Sequence, residues 1–554
     1  MGGPRLANRL HYLIQKCLEQ KCLPQDFKDV LIIPIYKNKG DHKDCGNYRG
    51  ISLLSVAGKI LAKVVQNRLS TVAEAALTES QCGFRRNRST IDMIFSLRQL
   101  QEKAIEQQKE IYIVFIDFRK AFDTVDRRLL WRVLKTFGCP DHLIEMVRLF
   151  HDGAEGRVVV GGQESERFSI THGTKQGCVL APTLFSLFLT VVLLKLSREI
   201  ESGVHITTRS DGRLFNLARL KAKTKTRREL VTELLFADDT ALVAHDQDQI
   251  QRMVNVFAET AGKMGLQINT QKTEVLYQPA PHSDETEMPQ IVVDGEVLKV
   301  VGNFKYLGST VTVDNRADRE IACRIQSASA SFGKLEQKLW NRPGIRLDTK
   351  CKVYKAVVQP ALLYSAGTYT LYRDQIRRLE AVQQRHLRRI MKVKWYNYVS
   401  DVEVLRRSGL DSIKATLAVS QLRWTGHVIR MEDSRIPKML LYGELASGSR
   451  KVGGQKLRYK DVVKRHLKAM DISTVGWEEL AADRSEWRSA VRRGKEKIEA
   501  RIAEDSALRH YRRHNPGNYQ CNTCVRLFHT ERGLQWAYSC NYDLTHDLAN
   551  HENI

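Results

Sequence analysis

Two hydrophobic spacings alternate between Leu31 and about Leu276. The runs LIIPIY, IYIVFID, ELLFADD and TALVA are short, apolar and rich in β-branched or aromatic residues, which suits strands. Between them KILAKVVQNRL and IDMIFSLRQLQEKAI repeat apolar residues three and four apart, which predicts amphipathic helices. The segment is therefore expected to be a mixed α+β domain. Strand patterns return at QIVVDGEVLKVV and FKYLGSTVT, and after about Asp318 the pattern becomes helical. One charge-free stretch, CVLAPTLFSLFLTVVLL from Cys178 to Leu194, is at the short limit for crossing a membrane. It contains Pro182 and several hydroxyls, so a buried core helix is expected and no membrane partner.

Length and charge extend this picture. A chain of 554 residues exceeds the roughly 250–300 residues that one core supports, so several domains are expected. With 88 Lys and Arg against 63 Asp and Glu the formal net charge is +25, an excess that a polyanion such as nucleic acid would neutralise. The positive charge is concentrated late in the chain. VQQRHLRRIMKVKWY carries no acidic residue, and Leu441 to Met470 holds eight Lys or Arg against two acids around the loop-like SGSRKVGGQK. The start, Met1-Gly-Gly-Pro, does not read as a secretory leader. The eleven cysteines are accordingly expected to be reduced and the protein intracellular, in nucleus or cytoplasm.

The candidate chemistry lies at two acidic strand ends. The first run closes on Asp117, and a carboxylate at the end of a buried strand is costly without a compensating cation or hydrogen-bond network. The second places Asp238 and Asp239 between apolar arms, which predicts a β-hairpin with Ala-Asp-Asp at its turn. Three carboxylates facing one centre repel one another, and oxygen-only ligation suits Mg²⁺. Two such ions would clamp the attacking and leaving oxygens of an in-line phosphoryl transfer.

At these residues the chain resembles the reverse transcriptases of non-LTR (LINE-type) retrotransposons. The likeness runs in order through LIIPIYKNKGD, NYRGISLLSVAGKILAKVVQNRL, SQCGFRRNRSTIDMI, FIDFRKAFDTVDR, HGTKQGCVLAPTLFSLFL, FADDTALVA, GLQINTQKTEVL and VGNFKYLGSTVT. It covers about Leu31 to Thr312 closely. It implies a right-hand polymerase fold, with fingers and a palm carrying a small antiparallel catalytic sheet over 31–315. A helical thumb-like region over 316–400 and a basic helical region over 401–515 would follow, with a remnant at 1–30 and a degenerate zinc-finger segment at 516–554.

The resemblance also implies roles. Asp117, Asp238 and Asp239 match the catalytic carboxylates, with Asp117 and Asp238 as the main ligands of two Mg²⁺ ions. Phe122 matches the residue whose bulk excludes a ribose hydroxyl. Gly173, Gln176 and Gly177 match a block beside the incoming nucleotide, and Lys272 a lysine that protonates departing pyrophosphate. Arg49, Arg85 and Arg88 are candidates for triphosphate contact, and Arg385, Arg388 and Arg389 for phosphates of the nucleic acid. The implied partners are an RNA template, a DNA primer and target, and deoxynucleoside triphosphates.

Cys521 and Cys524, followed by Phe528 and Leu534, resemble half of a two-Cys two-His zinc finger. Ala537 stands where the first His is expected, and Cys540, His546, His551 or His529 could complete the site instead. Absence of a recognisable nuclease region makes a truncated copy the expectation. Three readings stay open: an RNA-directed DNA polymerase, a nucleic-acid-binding remnant without chemistry, and a two-metal phosphodiesterase.

Overall fold

The structure is a computed structural model. It describes residues 3–514 apart from 39, 210, 223–224, 283–286, 449, 451–452 and 454, together with the short strand pair Tyr519–Gln520 and Leu527–Phe528. The chain divides into two compact units. One comprises Met1–Cys323, Thr368–Leu371 and His427–Val462, and the other Arg324–Gly367, Tyr372–Gly426 and Val463–Ile554.

The first unit is built on a sheet whose order is Lys299–Val300, Glu274–Gln278, Ile111–Ile116, Asp239–Ala244, Glu233–Phe236. Every residue of the central strand Ile111–Ile116 is buried, which is why its sequence is continuously apolar rather than alternating. Its two faces feed different cores. Tyr112, Val114 and Ile116 pack with Phe185 and Phe188 of the helix Ala181–Glu199 and Phe257 of the helix Gln247–Lys263. Ile113 and Phe115 pack on the opposite face with Met93 and Leu97 of the helix Thr90–Glu106 and with Tyr306. The charge-free stretch is thus largely the helix Ala181–Glu199, with most of its apolar side chains fully buried in this core.

A second sheet pairs Val30–Tyr36 antiparallel with Tyr48–Leu53 and parallel with Glu155–Val160. Within the segment at 1–30, Cys17, Leu23 and Phe27 belong to the same core as the central strand. The boundary expected near 400 also falls elsewhere, because the chain returns to the first unit after Gly426. There Glu444–Leu445 pairs with Val204–Thr208.

The second unit is helical up to residue 514. Phe332 stacks on Trp340 (5.2 Å) and on His386 (4.2 Å), and Trp487 Nε1 donates to the Leu422 carbonyl at 3.0 Å.

Three imidazoles lie inside these cores. Burial pushes His151 down to about 3 from an ordinary 6.5, and His386 and His466 each to about 4. The unfolded chain takes up protons at these positions first, so the stability that these three groups contribute is complete above pH 6.5 and falls as the pH drops from 6.5 toward 4. A thermal melting series from pH 7.5 to 5 should show a declining Tm. The decline should flatten in His151→Gln, whose parent imidazole Nδ1 lies 2.8 Å from the Val147 carbonyl while Nε2 has no partner among the described residues.

Candidate active site

Asp117 follows the central strand directly and is anchored by its backbone. Its N–H donates to Thr273 Oγ1 at 3.2 Å, and its carbonyl accepts from the Asn269 N–H at 2.7 Å. Thr240 pairs with Ile116, so the register continued one step sets Asp117 across from Asp239. Phe236 pairs with Asp239 and closes a two-residue turn of Ala237 and Asp238. The register therefore places the three acidic residues at one end of a sheet buried on both faces.

Their electrostatics suit a divalent cation. Burial, then the neighbouring Asp117, raises Asp238 above the ordinary carboxylate range, with Arg49 opposing. Asp239 is pushed up to about 6 by desolvation and then by Asp238 and Asp117, again with Arg49 opposing. Asp117 Oδ2 accepts no hydrogen bond among the described residues, although Lys272 Nζ stands 3.3 Å away as an ion pair. Among the described residues no three His, Cys, Asp or Glu side chains already converge at ligating distance. The donor set is nevertheless oxygen-only and mutually repelling. Those properties match a hard divalent cation.

Arg49 is the fingers arginine whose charge reaches these carboxylates. Arg85 and Arg88, expected beside it, are committed elsewhere. Arg85 donates to Glu74 and to the carbonyls of Thr78 and Gln81, with its side chain 6% exposed. Arg88 pairs at 2.5 Å with Glu79, which also holds Arg435, itself bound to the buried Asp92 at 2.6 Å. Both guanidiniums staple the fold.

The loop carrying Gln176 is fixed by buried cations. Arg127 donates to the carbonyls of Gly173, His151, Ile170 and His172, and Lys175 Nζ to those of Lys28 and Phe150. Burial lowers Lys175 to about 8. Gln176 is half-buried, and its carbonyl accepts from the Ser52 N–H at 2.8 Å. Gly177 has φ +112°, and a Cβ there would lie 2.5 Å from the Ser52 carbonyl oxygen. The close approach that requires this glycine is thus to protein backbone. Phe122 is half-buried, with its ring 4.7 Å from that of Phe185 and its carbonyl taken by the Thr174 N–H at 2.7 Å.

In the second unit Arg385 is exposed, Arg388 is tied to the Val399 carbonyl (2.8 Å) and Asp401 (2.7 Å), and Arg389 pairs with Glu336. Of the three, Arg385 is the one left open. Cys521 and Cys524 lie outside the described residues.

Sequence reasoning missed Gln81. Its Oε1 accepts from the N–H groups of Ala237 (2.9 Å) and Gly83 (2.8 Å), and its Nε2 donates to the Ala237 carbonyl at 3.2 Å. Backbone bonds of Leu235 to the Ser80 carbonyl and of Cys82 to the Leu235 carbonyl, each 2.9 Å, add this segment to the hairpin edge. A polar residue beside the GFRR run was the available signal.

A family model described as reverse transcriptase (RNA-dependent DNA polymerase) matches residues 35–311, half of the chain. The RNA-directed DNA polymerase from mobile element jockey of Drosophila funebris is 27% identical over 382 residues, covering 67% of this chain and 38% of that protein. Its Drosophila melanogaster counterpart is 25% identical over 405 residues, covering 71% and 41%. The chain thus spans about two fifths of the length of these curated relatives. Among solved structures, apo telomerase from Candida Tropicalis aligns with a TM-score of 0.35 at 12% identity, over 80% of this chain and 75% of that one.

Proposed function

The chain belongs to the reverse transcriptase (RNA-dependent DNA polymerase) family, and from that premise we propose that it is the polymerase of a non-LTR retrotransposon. It extends a 3′-hydroxyl primer on an RNA template with deoxynucleoside triphosphates. The observation that carries this reading is the meeting of Asp117 with the Asp238-Asp239 turn at one end of the buried sheet.

Asp117 and Asp238, with Asp239 beside them, would hold two Mg²⁺ ions, which when bound lower the primer hydroxyl's pKa and offset charge developing at phosphorus. The chain's own residues do the positioning. Arg49 offers a guanidinium to the triphosphate next to the carboxylates. Lys272, held at Asp117, carries a proton for the departing pyrophosphate. The Gln176 loop, locked by Arg127 and Lys175, forms a rigid wall beside the nucleotide. Cys521 and Cys524 are assigned as zinc ligands, and zinc retained through dialysis by the parent chain should be lost from Cys521→Ser.

The deciding experiment is primer extension on homopolymer and mixed RNA templates with Mg²⁺. Absence of incorporation, with primer–template still bound, would reduce the chain to a binding remnant. Phe122 sets sugar choice in this scheme, so Phe122→Val should relax discrimination against ribonucleotides by roughly tenfold or more while slowing deoxynucleotide use less. An unchanged ratio of the two kcat/KM values would return Phe122 to its packing role against Phe185.

A further inference from the structure

The second unit carries a surface that the polymerase chemistry does not use. The helix Arg373–Ile390 ends at Met391, and the chain enters a single turn, Trp395–Asn397. Here Trp395, Tyr396 and Tyr398 are 82%, 57% and 87% exposed. Three large aromatic side chains within four residues in water are an unfavourable arrangement unless something covers them.

The turn that presents them is built rather than frayed. The Lys394 N–H donates to Asn397 Oδ1 at 2.7 Å, and the Asn397 N–H returns to the Lys394 carbonyl at 3.1 Å. Arg388 clamps the exit through the Val399 carbonyl and Asp401. Tyr398 takes φ +50°, a left-handed conformation that is strained for a bulky residue and persists only where its surroundings impose it. The Trp395 and Tyr396 rings meet edge to face, 5.8 Å apart at 76°, so they offer differently oriented faces to solvent.

Charge identifies the occupant. From Gln383 to Ser400 the chain has five Lys or Arg and no Asp or Glu. Arg385, Lys392 and Lys394 have no acidic partner among the described residues. Lys392 also lines an open hollow of about 310 Å³ that mixes the apolar Ile345, Leu347 and Ile390 with the cations Lys350 and Arg407. Exposed π faces, a hollow with cations in its wall and lysines without an acidic partner among the described residues together match unpaired bases on a phosphate backbone.

We propose that the Trp395–Tyr398 turn, with Lys392 and Lys394, is a stacking platform for single-stranded nucleic acid. It binds without reading sequence: the rings stack on bases and the lysines follow phosphates. The platform rests on the polymerase reading for its biological use but not for its detection, because binding is measured without catalysis.

The test uses the full chain with fluorescent 20-mers of oligo(dT) and oligo(rU), and a blunt DNA duplex for comparison. Replacing Trp395, Tyr396 and Tyr398 together by Ala should weaken both single strands roughly tenfold or more, leaving duplex affinity and the salt slope unchanged, since stacking releases no counterions. Replacing all three by Phe should restore binding, which separates lost stacking from lost folding. Lys392→Ala with Lys394→Ala should instead flatten the slope of log affinity against log salt by about 0.7 per lysine. Equal loss for duplex and single strands, or no loss in the Ala variant, would overturn the platform. So would an Ala variant whose change appears in self-association or in binding to phosphatidylcholine–phosphatidylserine vesicles. Addition of one nucleotide to an annealed primer should persist in the Ala variant. If the parent chain lacks that activity while the platform binds, the polymerase reading fails and this one stands.

Discussion

Asp238→Asn is expected to cut primer extension on the order of a thousandfold or more while leaving primer–template affinity nearly intact, and to leave Tm unchanged or raised. The kinetic part follows from losing a charged ligand whose effect is felt at the transition state, at about 1.4 kcal/mol per tenfold. The stability part follows from the electrostatics. Burial and Asp117 raise Asp238, so its ionised form is disfavoured by folding, and the isosteric amide removes that repulsion from Asp117 and Asp239. A residue that only packed the hairpin would lose activity and stability together. Single-turnover incorporation, filter binding and thermal melting on one preparation separate the cases. Extension at the parent rate, or a drop in Tm parallel to the loss of activity, would remove Asp238 from the catalytic set. Asp117→Asn should behave alike in rate, although it also frees the ammonium of Lys272 from its ion pair.

The carboxylates were legible because a short apolar, β-rich run and the charge that ends it are local properties. Ile111 to Asp117 announces a doubly covered strand ending in charge, and Phe236 to Thr240 announces a tight turn. What was not legible depended on partners supplied by the fold. Arg85 and Arg88 look free in sequence, yet Glu74 and Glu79 take them, and the latter pairing is reinforced through Arg435 from a distant segment. The return of the chain to the first unit was hidden for the same reason. Glu444–Leu445 is two residues long and gains its identity as a strand only from Val204–Thr208. Gly177 could be seen as a point of close approach, but whether the approaching group was a nucleotide or Ser52 is a tertiary fact.

Gln81 shows how far such tertiary facts reach into the chemistry. Ala237, immediately before the two hairpin carboxylates, has φ +60°, where a side chain costs about 1 kcal/mol, and the Gln81 amide bonds both its N–H and its carbonyl. Gly83 must be glycine beside it, since a Cβ there would fall 2.2 Å from the Ala237 nitrogen. Gln81→Leu keeps the volume but strips three hydrogen bonds from a buried turn, at about 1–3 kcal/mol for each polar group left unsatisfied. The turn can relax by abandoning the left-handed conformation, which displaces Asp238 relative to Asp117. The expected result is a ten- to hundredfold lower kcat, on the scale of misplacing a reacting group by about an ångström. The Mg²⁺ concentration for half-maximal rate should rise and KM for template–primer should be unchanged. Adding Ala237→Gly removes the strain and should recover part of the lost Tm without recovering the rate, because the carboxylates still lack their clamp. A merely structural glutamine would instead lower Tm, leave the Mg²⁺ dependence of the folded enzyme where it was, and regain its rate when Ala237→Gly restored stability. That pattern would end the claim that Gln81 positions the catalytic turn.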